Sequence, residues 1–562
     1  MVQRLIKIFH REWSGLHEAA YLLGVFALFS QILALVRDRL LASSFGAGTS
    51  LDVYYAAFRI PDFIYFSVAS LVSVSVLIPF FIKKIEENKE HSQEEAYRFI
   101  NNIFSVFFVA IVLVSLLVFF LMPLLSDLLV PGFDIEAKNS LVLLSRILLL
   151  SPILLGLSNL LGSITQSYKQ FLVYALSPVF YNVGIIVGIV FLYPVFGLAG
   201  LAWGVALGAL MHLSIQVPAV IKRGFILKFS FNFNFQSIKE VVFLSLPRTI
   251  ALSINQLSFI FLVGLASLMG EGSISIFNFS FNLQSVPLSI IGVSYSVAAF
   301  PTLARLFSNG EKMQFAKNVA IAAKHIIFWS LPILVLFIIL RAQIVRTILG
   351  VGKFDWSDTR LTAAALALFA VSVVAQSLIL LFVRGYYAAG NTRTPLLINI
   401  FSTGVIIGSA FGLIQVFKNS DFFKYFVENL LRVEDLSGTS ILMLPLAFSI
   451  GSIVNALLLW VLFKKDFRDF SLSIVHSFFH SFAGSIIMGF TAYQMLNIFD
   501  DIFDINTFWG IFLQGLFSGA IGIIAGLFLL YILGNKEIRE IWESLHHKFW
   551  ESEVIAPDQQ EL

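Results

Sequence analysis

Six charged residues, Arg37, Asp38, Arg39, Asp52, Arg59 and Asp62, fall within "LVRDRLLASSFGAGTSLDVYYAAFRIPD", residues 35–62. Asp52, Tyr55, Arg59 and Asp62 stand at i, i+3, i+7 and i+10, which at 3.6 residues per turn places them within about 80° of one another on a helix. A stripe of this kind on an apolar helix faces a bundle interior or a wet cavity, because a charge at the bilayer centre costs roughly 2.5–3.5 kcal/mol even on the permissive insertion scale. Two readings stand at this point. In one, Arg59 pairs with Asp62 or Asp52, and Arg37 and Arg39 mark the membrane interface. In the other, the arginines line a water-filled cavity and meet an anionic substrate; the planar guanidinium fork suits phosphate.

A less charged counterpart follows in "GEGSISIFNFSFNLQSVP" (270–287), where Asn278, Asn282 and Ser285 replace the ionic stripe. These side chains can hydrogen-bond a sugar or a pyrophosphate, or bond helices together in a packed bundle. The residues support no other chemistry. The nine histidines have no metal-ligand spacing, there are no cysteines, and no Walker A sequence is present. No catalytic residue, metal or cofactor is expected, and no enzyme activity. A net charge of +3 gives no reason to expect nucleic acid as a partner.

The elements that must position these residues are membrane-spanning. Hydrophobic residues make up 58% of the 562 and charged ones 13%, where a soluble domain carries about 25% charged residues. Apolar runs long enough to cross a bilayer lie near 17–36, 53–82, 100–124, 140–165, 172–193, 198–221, 240–268, 274–300, 318–340, 361–387, 395–416, 440–463, 470–497 and 507–534. The expected fold is an all-α polytopic membrane protein of about fourteen transmembrane helices. A barrel would show short alternating segments instead. With the N-terminus inside, the inner segments carry more than twice as many lysines and arginines as the outer ones, so both termini are expected to be cytoplasmic.

An internal repeat relates the two charged and polar stretches. "GAGTSLDVYYAAFRIP" (46–61) leads to "IPFF" at Pro79, and "GEGSISIFNFSFNLQSVP" leads to "FPTL" at Pro301. "TQSYKQFLVYALSP" (165–178) pairs with "VRGYYAAGNTRTP" (383–395) at a similar offset of about 220 residues. Six helices thus repeat as six in the same orientation, a transporter signature. The organisation expected is a cytoplasmic leader or interfacial helix (1–16), an N-lobe of helices 1–6 (17–221) and a cytoplasmic linker (222–239). A C-lobe of helices 7–12 (240–465), two added helices 13 and 14 (466–535) and a cytoplasmic tail (536–562) complete it.

The opening stretch resembles the MurJ (MviN) family of lipid II flippases, in the multidrug/oligosaccharidyl-lipid/polysaccharide exporter superfamily. Arg37, Asp38, Phe45, Gly46, Ala47, Gly48, Asp52, Ala57, Phe58, Arg59 and Pro61 match its pattern, as do "GKFDWSDTRLTAAALALFAVS" (352–372) and "GYYAAGNTRTP" (385–395). The resemblance implies two lobes around a cationic cavity and a groove on helices 13 and 14 for a polyprenyl tail. It implies translocation of lipid II from the inner to the outer leaflet of the bacterial cytoplasmic membrane by alternating access, driven by membrane potential or ion coupling. Its partners would be a lipid-linked (polyprenyl-pyrophosphate) glycan, membrane lipids and cell-wall synthesis proteins. The substrate-binding residues expected are Arg37, Arg39, Asp52, Arg59, Asp62, Asn278 and Asn282.

The chain departs from the family pattern at three places. Gln31 and Asn282 stand where the family has arginines, and "IYFSVASLV" stands where it has an arginine pair followed by Ala-Glu-Gly. Arg37 and Arg59 remain as cavity cations. A flippase for another polyprenyl-pyrophosphate-linked glycan and a transport-inactive scaffold for envelope assembly are the alternatives. A multidrug antiporter is a third, disfavoured because helices 13 and 14 are extra to a twelve-helix exporter.

Overall fold

The computed structural model describes residues 16–68, 92–168, 170–222, 224, 225, 228, 229, 235–468, 470, 473–505 and 507–535. Nearly all of the expected leader, the tail, Pro79 of the first repeat and part of the linker lie outside them. Every regular element among the described residues is helical. The reason is physical: backbone N–H and C=O groups in hydrocarbon must be satisfied within the segment itself.

The first half comprises α1 (Leu16–Phe45), α2 (Thr49–Ala57), α3 (Arg59–Ser67), α4 (Ser92–Leu129), α5 (Ile135–Leu148), α6 (Leu150–Ser167), α7 (Phe171–Val187) and α8 (Leu198–Ser214). The second comprises α9 (Phe235–Ser267), α10 (Ser273–Pro287), α11 (Ser294–Ser308), α12 (Lys312–Ile339), α13 (Arg341–Leu349), α14 (Trp356–Ala370), α15 (Val373–Ala388), α16 (Arg393–Asn419), α17 (Asp421–Leu431) and α18 (Met443–Asp466). The chain ends on α19 (Ser473–Asp500) and α20 (Phe508–Ile532). Among the described residues eleven helical runs, some of them consecutive elements such as α5–α6, are long and apolar enough to span a membrane, or twelve when α14 and α15, bent by 43° at their junction, count as one. The first two expected spans correspond to α1 and to α2–α3, and residues 69–82 of the second expected span lie outside those described. Helices α13 and α17 have no counterpart among the expected spans, since nine and eleven residues fall below the length that hydropathy detects.

Helix starts are set by local side chains. Asp134 accepts from the Ala137 N–H, Ser420 from Phe423 and Thr507 from Gly510, each satisfying one of the donors a first turn leaves open. Pro178 and Pro287 remove a backbone donor within long helices, and in each case a π turn follows, at Gly188–Leu192 and Leu288–Val293.

The chain forms two compact units. The first contains residues 1–283, 348–369 and 391–455, the second 284–347, 370–390 and 456–562. In the first, α7 and α8 cross at backbone contact: a Cβ on Gly204 would meet the Gly188 N at 3.0 Å and the Gly184 carbonyl at 3.3 Å. Rings of Phe277, Phe281, Phe369 and Phe448 pack with centroids 5.2–5.7 Å apart, in edge-on arrangements that suit the ring quadrupole. In the second, Phe382, Phe463, Phe467 and Phe470 form a similar cluster, and the Tyr386 hydroxyl donates to Asp466 at 3.0 Å. Helix α19 packs on α12 and α20 there, with Gly484 lying against Leu530 and Gly489 against Val335.

Candidate functional site

The charged stretch is built on the turn from α1 into α2. Gly46 sits in the left-handed region at φ 66° and donates its N–H to the Ala42 carbonyl at 2.8 Å. A Cβ there would be strained and would meet the Lys353 carbonyl oxygen at 2.8 Å. The turn brings the start of α2 against the start of α10. Asp52, 2% exposed, accepts from the Gly272 N–H at 2.8 Å, the Ser275 N–H at 2.7 Å and the Ser275 hydroxyl at 2.6 Å. A carboxylate belongs at this position because the first turn of a helix presents unpaired N–H groups and a partial positive charge.

Further contacts close the same end of the first unit. The Thr49 N–H donates to Glu271 at 3.0 Å, the Ala47 N–H to Asp358 at 3.0 Å and the Lys353 N–H to the Ser43 carbonyl at 3.0 Å. Arg39 donates to the Ile348 carbonyl at 3.1 Å. Glu271 lies in a loop, and the hydrogen bond from the Thr49 N–H holds its carboxyl below the usual glutamate range.

One helix turn and more further in, a cavity of about 330 Å³ is lined by Arg37, Tyr54, Tyr55, Arg59, Asp62, Tyr181, Gln256, Asn278 and Asn282, among others. That is the small end of the range for ligand sites. Arg37 donates to Asp38 through Nε at 2.9 Å and Nη2 at 2.8 Å, and to Asn182 through Nη1 at 3.3 Å. Asp38 also accepts from the Asn282 amide at 3.0 Å. Arg59, 9% exposed, donates through Nη2 to the Asn278 carbonyl oxygen, and the Asn278 amide in turn donates to the Ile274 carbonyl at 2.7 Å. The Arg59 guanidinium also lies 5.6 Å from the Phe259 ring centroid, a cation–π distance. Its Nε and the Tyr55 hydroxyl are buried without a hydrogen-bond partner. Buried donors of this kind are rare in folded proteins, and here both belong to residues that line the cavity.

The structure therefore brings Arg37, Arg59, Asp62, Asn278 and Asn282 of the expected set around one cavity. Asp52 and Arg39 are engaged in the closed end. Of the two readings, the one that pairs Arg59 with Asp52 or Asp62 finds no hydrogen bond between them among the described residues: Arg59 bonds Asn278, and Asp62 is its charged neighbour. Sequence reasoning assigned no role to Glu271, Gly272, Ser275 and Asp358, which hold the end closed, or to Asn182, Tyr54 and Tyr181 around the cavity. The one signal available was the repeat itself: "GEGSIS" aligns with "GAGTSLD", the stretch it meets in space. Among the described residues no group of three or more His, Asp or Glu is placed to hold a metal.

Comparison with known proteins adds the following. The family model described as lipid II flippase MurJ matches residues 41–513. The chain is similar to the probable lipid II flippase MurJ of Buchnera aphidicola subsp. Acyrthosiphon pisum, at 27% identity over 523 residues, covering 91% of this chain and 96% of that one. It is also similar to the lipid II flippase MurJ of Burkholderia cenocepacia, at 26% identity over 408 residues, covering 70% and 77%. Among solved structures, lipid II flippase MurJ in an inward closed conformation superposes with a TM-score of 0.71 at 22% identity, covering 93% of this chain and 100% of that one. An inward-facing multidrug resistance MATE family transporter superposes with a TM-score of 0.63 at 15% identity, covering 78% and 95%. At these identities the two superpositions establish the fold.

Proposed function

The chain belongs to the lipid II flippase MurJ family, and from that premise we propose that it carries lipid II from the inner to the outer leaflet of the bacterial cytoplasmic membrane by alternating access. The observation that carries this reading is Arg59, a buried guanidinium fixed by Asn278 on one side, with an unpartnered Nε in a residue that lines the cavity. A pyrophosphate supplies acceptors for the unused donors of Arg59 and Tyr55. Arg37 contributes a second guanidinium whose charge Asp38 already offsets, so Arg59 is the principal anion-holding group, with Asn282 as a hydrogen-bond donor beside it.

The closed end is the outer one in this reading, following the excess of basic residues on the inner segments, and both termini are cytoplasmic. The head group enters from the inner side. The bonds of Asp52, Glu271, Asp358 and Arg39 then break to let it leave outward, while the tail stays in lipid beside α19 and α20. Those two helices expose Phe479, Phe490, Trp509 and Phe528, and the two sixfold repeats supply the rocking lobes. No chemistry on the substrate is involved. With the inside negative, outward movement of an anion is favoured by about 2.3 kcal/mol per charge per 100 mV.

The test is complementation of a flippase-depleted bacterium, scoring outer-leaflet lipid II. Wild type restores it, and Arg59→Ala does not while remaining inserted at wild-type level. If wild type is inserted and lipid II stays inside, the substrate is another polyprenyl-linked glycan or the chain acts as a scaffold. A tolerated Arg59→Ala favours the scaffold.

A further inference from the structure

A second cavity of about 350 Å³ lies within the first unit, and Phe58, Asp62 and Tyr181 line both it and the Arg59 cavity. Asp62 therefore stands in the wall between them. The other two carboxylates of the stretch are occupied, Asp38 by Arg37 and Asn282, and Asp52 by the start of α10. The Asp62 carboxylate has no hydrogen bond or ion pair among the described residues, and its electrostatic neighbour is Arg59.

We propose that Asp62 binds a proton when an anionic head group occupies the Arg59 cavity and gives it up when the head group leaves, so that each transport cycle is linked to one proton. This rests on the flippase reading and deepens it by assigning the coupled ion and its site. The reasoning is one of charge balance. In the empty cavity an ionised Asp62 offsets Arg59, the cation that no hydrogen-bonded carboxylate neutralises. An entering pyrophosphate takes over Arg59 and leaves Asp62 as a surplus negative charge in a poorly solvated wall, where a like charge favours the protonated carboxyl. The proton comes from water and adds to one carboxylate oxygen; no other bond changes.

The groups that face Asp62 are compatible with this. Arg59 and Tyr65 come from its own helix, Arg37 with its Asp38 from α1, Tyr54 and Tyr55 from α2, Tyr181 from α7 and His212 from α8. The lining residues from α6, α9 and α10 include Ser151, Gln256 and Asn278, which do not titrate. His212 lies on the second cavity and shares a hydrogen bond with Ser158 at 2.7 Å through Nδ1. The second cavity thus puts Asp62 beside a space separate from the Arg59 cavity, with the His212 imidazole on its wall. A single carboxylate suits a proton better than a metal ion, which needs several ligating oxygens.

The experiment uses the full chain in lipid nanodiscs, with wild type, Asp62→Asn and Asp62→Glu. Infrared difference spectra across pH are expected to contain a protonated-carboxyl band that Asp62→Asn lacks and Asp62→Glu retains at a shifted position. Adding lipid II should move the midpoint of that band upward. In parallel, wild-type affinity for lipid II should weaken with rising pH by up to about tenfold per unit, the limit for one linked proton, and Asp62→Asn should be flat. Absence of an Asp62-dependent band overturns the proposal, as does a band that bound lipid II leaves unmoved, or an affinity that follows Na⁺ and not pH. Failure of lipid II to bind wild type at any pH overturns the substrate reading and the linkage to it, while the band in the empty protein still shows whether Asp62 takes a proton.

Discussion

Two residues with the same chemistry and the same helical face, Asp52 and Asp62, end up with opposite tasks. Asp52 is saturated by three donors, and hydrogen bonds to a charged group contribute roughly 1.5–3 kcal/mol each. Asp52→Ala is therefore expected to release the closed end of the first unit. The chain has no cysteine, so spin labels at Thr49→Cys and Glu271→Cys report on that end alone; the distance distribution should broaden and lengthen in Asp52→Ala. Glu271 is a weaker contact. Its carboxyl titrates below the usual range, so its contribution is present above the ordinary glutamate pKa and lost as pH falls through the depressed value. Because the group is largely exposed, Glu271→Gln should cost less than about 1 kcal/mol, and thermal unfolding of the purified chain at neutral pH should hardly shift. For Arg59, retention of charge is not enough. A lysine cannot bond Asn278 and a phosphate through one fixed fork, so Arg59→Lys should lower flipping about tenfold or more with insertion unchanged.

Among the elements, α7 carries Tyr181 of the cavity wall and Asn182, the partner of Arg37, and α7 crosses α8 at close quarters. Glycines at 184, 188, 204 and 208 let the two backbones touch. Gly204→Leu forces the helices apart, and overpacking of this kind costs about 1–3 kcal/mol or more. Thermal unfolding of the purified chain should fall by several degrees, and Arg37, which donates to Asn182 on α7, should lose its position. The short helices α13 and α17 escaped the hydropathy reading. The apolar periodicity of α17 was legible only once its length exempted it from being a span: Phe422, Tyr425, Phe426 and Leu430 are exposed, and Val427 and Leu431 are buried. Its end is fixed by the Arg360 guanidinium, which donates to Asp435 and to the Arg432 carbonyl. That pairing lies 72–75 residues apart in sequence, and no local rule points to it.

For the whole molecule, a flippase driven by membrane potential and linked to one proton makes a joint prediction. In proteoliposomes of the wild type, lipid II flipping should accelerate as the potential is made more negative on the side the head group leaves, and should slow when it is collapsed. In Asp62→Asn the head group travels without the compensating proton, so one more negative charge crosses per cycle. The dependence on potential should then steepen, within the limit of about 2.3 kcal/mol per charge per 100 mV, while the dependence on pH disappears.

The sequence by itself determined that the chain is a helical membrane protein and where its spans lie, because hydropathy is a property of each segment alone and backbone hydrogen bonding in lipid leaves no other regular choice. It also placed Arg59 and Asp62 on one stripe, since helical period depends only on spacing. The division of labour along that stripe was decided by the tertiary structure. Asp52 met the start of α10 and Arg59 met Asn278, more than 200 residues away in each case, whereas the Asp62 carboxylate met no hydrogen-bonding partner among the described residues. What a buried charge does depends on the groups facing it, and those come from helices that spacing along the chain does not bring together.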